Sequence, residues 1–139
     1  MSTNTKKMVG MKIIELVFLT IGGVVGTFLR YKFLVAPLYI GALQANVLIV
    51  NIIGSFILGV FAVATQQWNL DGKYVMLIAF GFCGSLTTMS ALAYDTSDLI
   101  NSTKYGLMIV NVVANLILSV AAIYGGKALL NTIIGNHPI

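Results

Sequence analysis

An all-α membrane protein of four transmembrane helices, the third broken at mid-membrane, is the fold class that three observations predict. The chain of 139 residues is 58% hydrophobic and only 9% charged, whereas a typical soluble domain carries about 25% charged residues. Its apolar residues gather in four stretches, each close to the roughly 20 residues that a helix needs to cross a bilayer. The third stretch is crowded with glycines and hydroxyls rather than the side chains that suit lipid. A soluble domain this small could not bury so much apolar surface, because the fraction of surface buried on folding shrinks as chains become shorter. Lipid is therefore the expected solvent, and a multi-pass protein of the cell membrane the expected product. Each span reads as a helix, since hydrocarbon offers no partner to the backbone of an open strand edge.

The spans are residues 13–34, 47–64, 75–94 and 105–124. They make a single transmembrane domain over 13–127, between a polar N-terminal tail (1–12) and a C-terminal tail (128–139). The first span is too long to be read as a cleaved signal. Pro37 and Gly41 punctuate the first connection, the polar run 66–73 forms the second, and 95–104 forms the third. Trp68, Tyr74, Tyr94, Tyr105 and Tyr124 fall near span ends, where amphipathic rings anchor at the interface. With an even number of spans, Lys6, Lys7, Lys12, Lys73 and Lys127 share one side, and Arg30, Lys32 and Lys104 the other. Five against three is a weak bias under the positive-inside rule. Such a balance suits a protein that inserts in both orientations.

Several function classes fall away. The eight Lys and Arg residues are scattered over span ends, with no basic stripe to hold nucleic acid. Cys83 is the sole cysteine and His137, in the C-terminal tail, the sole histidine, which excludes an intrachain disulfide and a Cys/His metal cluster. Glu15 lies in the first turn of span one near Lys12, and Asp95 and Asp98 lie at the end of span three. No carboxylate sits at mid-membrane, and no nucleophile–base constellation is present, so the chain is not expected to be an enzyme.

Polar residues at membrane depth carry the remaining information. Asn51 and Ser55 lie one helical turn apart in span two, beside Gly54 and Gly59. Asn111, Asn115 and Ser119 recur at i, i+4 and i+8 in span four, forming a stripe on one face. The stripe admits two readings, helix–helix packing through small and polar residues or a track lining an ion path. In span three, Gly81-Phe82-Cys83-Gly84-Ser85-Leu86-Thr87-Thr88-Met89-Ser90 combines glycine, which loosens a helix, with hydroxyls that compete for backbone bonds. A local break there would free carbonyls, which are hard oxygen ligands for a small cation; a tightly packed continuous helix is the competing reading.

This run resembles the GFCGGxTTFS hallmark of the Fluc (CrcB) family of fluoride channels. Gly22-Gly23-Val24-Val25-Gly26-Thr27-Phe28-Leu29-Arg30-Tyr31 is similar to that family's GGxxGAxxRY, and Val50-Asn51-Ile52-Ile53-Gly54-Ser55-Phe56 to its VNxxGSF. Three motifs in order on three successive spans cover essentially the whole chain beyond its N-terminal tail. The resemblance implies a fluoride-specific channel that exports fluoride passively, built as an antiparallel dual-topology homodimer in the bilayer with two pores along the subunit interface. It implies a structural, non-transported sodium ion at the dimer centre, held by the carbonyls of Gly84 and Thr87. Asn51, Thr88 and Ser90 match its fluoride pathway, Asp95 an acidic position beyond it, and Arg30 an arginine that gathers anions in the vestibule. Asn111, Asn115 and Ser119 enter as track candidates from their spacing alone.

The match fails where the family carries two phenylalanines whose ring edges face the anion. Met89 and Leu92 stand there, with Ala91 between them in place of a threonine, and neither has the positive edge of an aromatic ring. Asn46 and Val47 replace a Gly-Thr pair at the start of span two. Two alternatives follow: a partly structural subunit of a heterodimer whose related partner supplies the aromatics, and a transporter of the small multidrug-resistance kind with Glu15 as its coupling carboxylate.

Overall fold

The computed structural model describes residues 10–135. Among these residues, four helical segments are long and apolar enough to cross a membrane: Ile13–Val35, Asn46–Trp68, Gly72–Asn101 and Tyr105–Ile133. Helix α1 (Ile13–Val35) starts where the Glu15 carboxylate accepts the Lys12 N–H at 2.9 Å. It stops one residue before Pro37, with Ala36 extended at φ −98° and ψ 102°, because a proline disfavours helical backbone in the residue ahead of it. A short antiparallel hairpin of β1 (Tyr39–Ile40) and β2 (Leu43–Gln44) turns at Gly41, whose φ is +62°. The connection therefore holds strand pairing that the hydropathy pattern does not announce. Helix α2 (Asn46–Trp68) ends at Asn69, which takes a left-handed φ of 46° and returns its N–H to the Thr65 carbonyl.

The third span is composite. Helix α3 begins at Gly72–Val75, with the Asp71 carboxylate accepting the Lys73 N–H at 3.0 Å. It continues as a π-helical stretch over Met76–Cys83 and a last turn over Gly84–Leu86. Thr87 and Thr88 are extended, and helix α4 (Met89–Asn101) resumes beyond them. The interruption expected from the glycine- and hydroxyl-rich run is present, near the middle of Gly72–Asn101. Helix α5 (Tyr105–Ile133) closes the chain. Helices outlast the apolar stretches: residues 95–101 belong to α4 and 128–133 to α5, since hydropathy marks the membrane and not the last helical turn. Lys6, Lys7 and His137 lie outside the described residues.

Two helix pairs carry the packing, α1 along α3 and α2 along α5. Glycines set both approaches. A Cβ on Gly22 would run into the Leu77 carbonyl and one on Gly26 into that of Phe82; one on Gly59 would meet the Ile123 carbonyl and one on Gly126 that of Phe56. Lipid tails are as apolar as leucine, so helices in a membrane gain by close backbone approach rather than by hydrophobic exclusion. The buried core is mixed, with Val47, Val50, Cys83, Leu86 and Leu92 beside Asn46, Ser55, Thr88, Asn111 and Asn115. Outward faces carry Ile13, Val24, Phe28, Leu116 and Ile117, all exposed, as a surface solvated by lipid requires.

Gly59→Leu is expected to cost about 1–3 kcal/mol or more, the usual range for overpacking, when reversible unfolding is followed in detergent. Gly106→Leu, at a position with open space around its Cβ, is expected to be neutral in the same assay.

Candidate functional site

The interruption in the third span can be followed donor by donor. In an uninterrupted helix the Thr88 N–H would bond the Gly84 carbonyl, and the Ala91 N–H would bond that of Thr87. Thr88 instead donates to Asn51 Oδ1 at 2.8 Å, and Ala91 donates to Thr88 Oγ1 at 3.2 Å. Thr88 thereby caps α4 with its side chain while its own N–H is taken by α2. The Gly84 and Thr87 carbonyls are both released from their helical partners. Thr87 O receives Arg30 Nη1 at 3.4 Å, whereas the Cys83 carbonyl stays covered by the Thr87 N–H and hydroxyl, at 3.0 and 2.9 Å.

Asn51 is engaged at both ends of its amide. Besides holding Thr88, it donates through Nδ2 to Asn115 Oδ1 at 2.9 Å and more weakly to Thr88 O at 3.4 Å. Asn115 in turn donates to Asn111 O at 3.0 Å and Oδ1 at 3.2 Å. Asn51 of α2 and Asn115 and Asn111 of α5 are thus one connected network that spans the α2–α5 interface and reaches the interruption. Packing and polar lining, the two readings of the span-four stripe, are not exclusive here.

Three hollows border this network. A groove of about 370 Å³ is lined by Asn51, Thr88, Met89, Leu92, Asn115 and Ser119 with their neighbours, bringing together candidates from three elements. A second hollow, of about 190 Å³, contains Gly84 and Thr87 with Gly54, Ser55 and Ser119. The third, about 180 Å³, lies under the hairpin and is lined by Gln44, Asp95, Asp98, Ser102, Lys104 and Asn111 among others. Ser90 is exposed, and its hydroxyl pairs with that of Thr88 at 3.2 Å. The two positions of the altered aromatic pair part company: Met89 is 75% exposed, while Leu92 is 6% exposed. Arg30 is half-buried against the interruption and none of these three hollows includes it. Glu15 is spent on the start of α1.

Among the described residues no group of His, Cys, Asp and Glu side chains is placed to hold a metal. Oxygen donors for a cation come instead from the backbone. Gly84 and Thr87 line one hollow, Gly84 is exposed, and a Cβ there would meet only the Ala79 carbonyl at ordinary contact distance. Hard cations favour oxygen ligands, so this donor set fits sodium.

Two residues have roles beyond those expected from the sequence. Asn46 is 3% exposed; its Nδ2 donates to the Phe33 and Ala36 carbonyls, and its Oδ1 accepts the Leu38 N–H at 2.7 Å. It sews the end of α1 to the start of α2. Thr88 was read as lining and is also a cap, a role that a Thr ahead of a helical run signals.

Four membrane-length helices, one of them interrupted beside a braced network of amides and hydroxyls, define a small multi-pass membrane protein. The particular family is given by comparison: the family model described as "CrcB-like protein, Camphor Resistance (CrcB)" matches residues 17–127, and the chain belongs to that family. A protein of Nitrosopumilus maritimus named fluoride-specific ion channel FluC is 56% identical over 126 residues, covering 91% of this chain and all of the relative. Proteins of the same name from Koribacter versatilis and Methanococcus aeolicus are 40% and 35% identical, covering 88% and 86% of this chain and 100% and 98% of their own lengths. The relatives are ion channels by name and not enzymes.

Asn51→Leu leaves the Thr88 N–H without its partner, and an unpaired buried donor costs about 1–3 kcal/mol. Unfolding in detergent is expected to show a loss of that size, whereas Met89→Leu, at an exposed position, is expected to stay within about 0.5 kcal/mol.

Proposed function

We propose that this protein is a fluoride channel of the cell membrane, exporting fluoride passively as an antiparallel, dual-topology homodimer with a structural sodium ion at its centre. The observation that carries the reading is the pair of carbonyls released at the interruption, on a chain 56% identical to a protein named fluoride-specific ion channel. One copy offers a cation two such oxygens, so a two-fold partner facing the same hollow completes the shell. Sodium bound there supplies positive charge that offsets repulsion between anions and ties the two interrupted spans together. In this reading it stays in place and is not transported.

Fluoride is small and strongly hydrated, so its path must exchange water for fixed donors. The groove along Asn51, Thr88, Met89, Leu92, Asn115 and Ser119 supplies the lining of that path. The amide hydrogens of Asn51 already serve Asn115 and Thr88. Asn51 therefore shapes the path, and the Thr88, Ser90 and Ser119 hydroxyls are the donors that can turn to the ion. Arg30, bonded to Thr87 O, adds positive potential at the interruption rather than at an outer vestibule.

A second reading is favoured by Met89. Its exposure puts a side chain without an aromatic quadrupole where an anion-facing edge is expected, as in a heterodimer whose related subunit supplies the rings. Fluoride efflux from liposomes holding this chain alone decides between them. Fast efflux that excludes chloride is the expected outcome; silence relieved only by adding a related subunit selects the heterodimer.

For the cation, dimer stability in the wild type is expected to rise with sodium, and Thr87→Ser to preserve that dependence. Gly84→Val, whose Cβ meets only the Ala79 carbonyl at ordinary contact distance, is expected to abolish it. Equal sodium dependence in wild type and Gly84→Val counts against the site.

A further inference from the structure

The three connections between spans differ in kind. The second carries Gln66, Gln67, Asn69, Asp71 and Lys73, and the third Asp95, Asp98, Asn101 and Lys104. The first is apolar: from Phe33 to Leu43 the only polar side-chain group is the Tyr39 hydroxyl. Val35, Leu38, Tyr39 and Ile40 are nonetheless each at least 50% exposed. They continue the exposed apolar face that α1 shows at Phe28, Tyr31 and Phe33. A contiguous exposed apolar patch marks a surface that meets something other than water.

Leaving water also requires that backbone groups be paired, and Asn46 does this where the chain changes direction. Pro37 has no N–H, so the Phe33 carbonyl lacks the helical donor four residues on. Asn46 Nδ2 supplies a donor there and serves the Ala36 carbonyl as well, at 2.7 Å. Asn46 Oδ1 takes the Leu38 N–H at 2.7 Å, and the Leu38 carbonyl takes the Ala45 N–H at 2.8 Å. Beyond these, Tyr39 pairs with Gln44 and Ile40 with Leu43, closing the hairpin at Gly41. The glycine that the family resemblance places at position 46 has no side chain to do this.

The hairpin also lies at a suitable depth. Gly26 packs on Phe82 O and Ser85 beside the interruption, and α1 ends at Val35, nine residues further on. At 1.5 Å per residue that is about 14 Å, close to half of a hydrocarbon core roughly 30 Å thick. We propose that the hairpin is a membrane anchor, seating Leu38, Tyr39 and Ile40 in the boundary between acyl chains and headgroups, with Asn46 as its positioning residue. Tyr39 suits that boundary, having an apolar ring and a hydroxyl that reaches headgroups or water. The occupant is bilayer lipid, because the patch extends the lipid-facing side of α1. The anchor stands apart from the fluoride reading and does not depend on it.

Trp68 is the sole tryptophan, so Ile40→Trp in a Trp68→Phe background places a single reporter at the hairpin tip. The full chain is placed in lipid nanodiscs, where iodide reaches both faces, and quenching by iodide is compared with quenching by phospholipid brominated on its acyl chains. Asn101→Trp in the same background, at an exposed position of the polar third connection, is the reference. The reporter at position 40 is expected to lose several times more fluorescence to brominated lipid than to iodide, and the reference to show the reverse. Iodide quenching at position 40 equal to that of the reference overturns the anchor, since the hairpin then lies in water. Quenching by neither agent also overturns it, since protein, such as a second copy, then covers the tip. Asn46→Ala leaves the Phe33 and Ala36 carbonyls to seek water and is expected to move the reporter towards iodide. Asn46→Ser, too short to reach both carbonyls, replaces that variant should it not fold. Unchanged quenching in the Asn46 variant overturns the positioning role.

Discussion

The hydrogen bond from the Thr88 N–H to the Asn51 side chain, 2.8 Å long, sits where two requirements of a membrane protein meet. Hydrocarbon tolerates no unpaired backbone group, yet an ion path needs backbone or side-chain polar atoms within reach. Asn51 resolves this by taking over the one N–H that a helical turn would have consumed. Thr88 Oγ1 does the same for Ala91. Carbonyls rather than amides are then left over, and the surplus has the sign that attracts a cation. The position of Arg30, bonded to Thr87 O, follows from the same surplus.

Holding that arrangement requires α2 to stay in place against α5 and α3 against α1. The glycines do this. Gly59 and Gly126 bring two backbones together across one interface, and Gly22 and Gly26 across the other. Asn115 then comes within 2.9 Å of Asn51. Close backbone packing and the polar network are therefore parts of one device. The first permits the distances on which the second depends, and the second supplies specificity that apolar contacts in lipid lack.

Set against the family hallmark that residues 81–90 resemble, this chain keeps the glycines and threonines that make the interruption and has Met89 and Leu92 where the resemblance places phenylalanines. Asparagines are abundant instead: Asn46 braces the first connection, and Asn51, Asn115 and Asn111 run as one series through α2 and α5. An amide can donate and accept at once, so a series of amides carries polarisation in a way that phenylalanine edges do not. Met89 is exposed and Leu92 buried, so the two side chains have different surroundings.

Much of this was legible in the chain itself. Apolar length placed four helices, because crossing a bilayer sets a minimum span that composition reveals directly. Glycine and hydroxyl density in residues 81–90 marked the interruption, and the i, i+4, i+8 spacing of Asn111, Asn115 and Ser119 marked a shared face. Where helices end was not legible, since Asp95 to Asn101 are polar and helical at once. Nor was the partner of each amide. Asn51 and Thr88 are 37 residues apart, and Asn51 and Asn115 are 64 apart, so pairing depends on how closely two glycine-bearing helices approach. The third span, where the sequence allowed either a break or a tightly packed continuous helix, owed the atom at which it fails and the carbonyls it releases to tertiary structure. Only there does a donor from one helix find an acceptor on another.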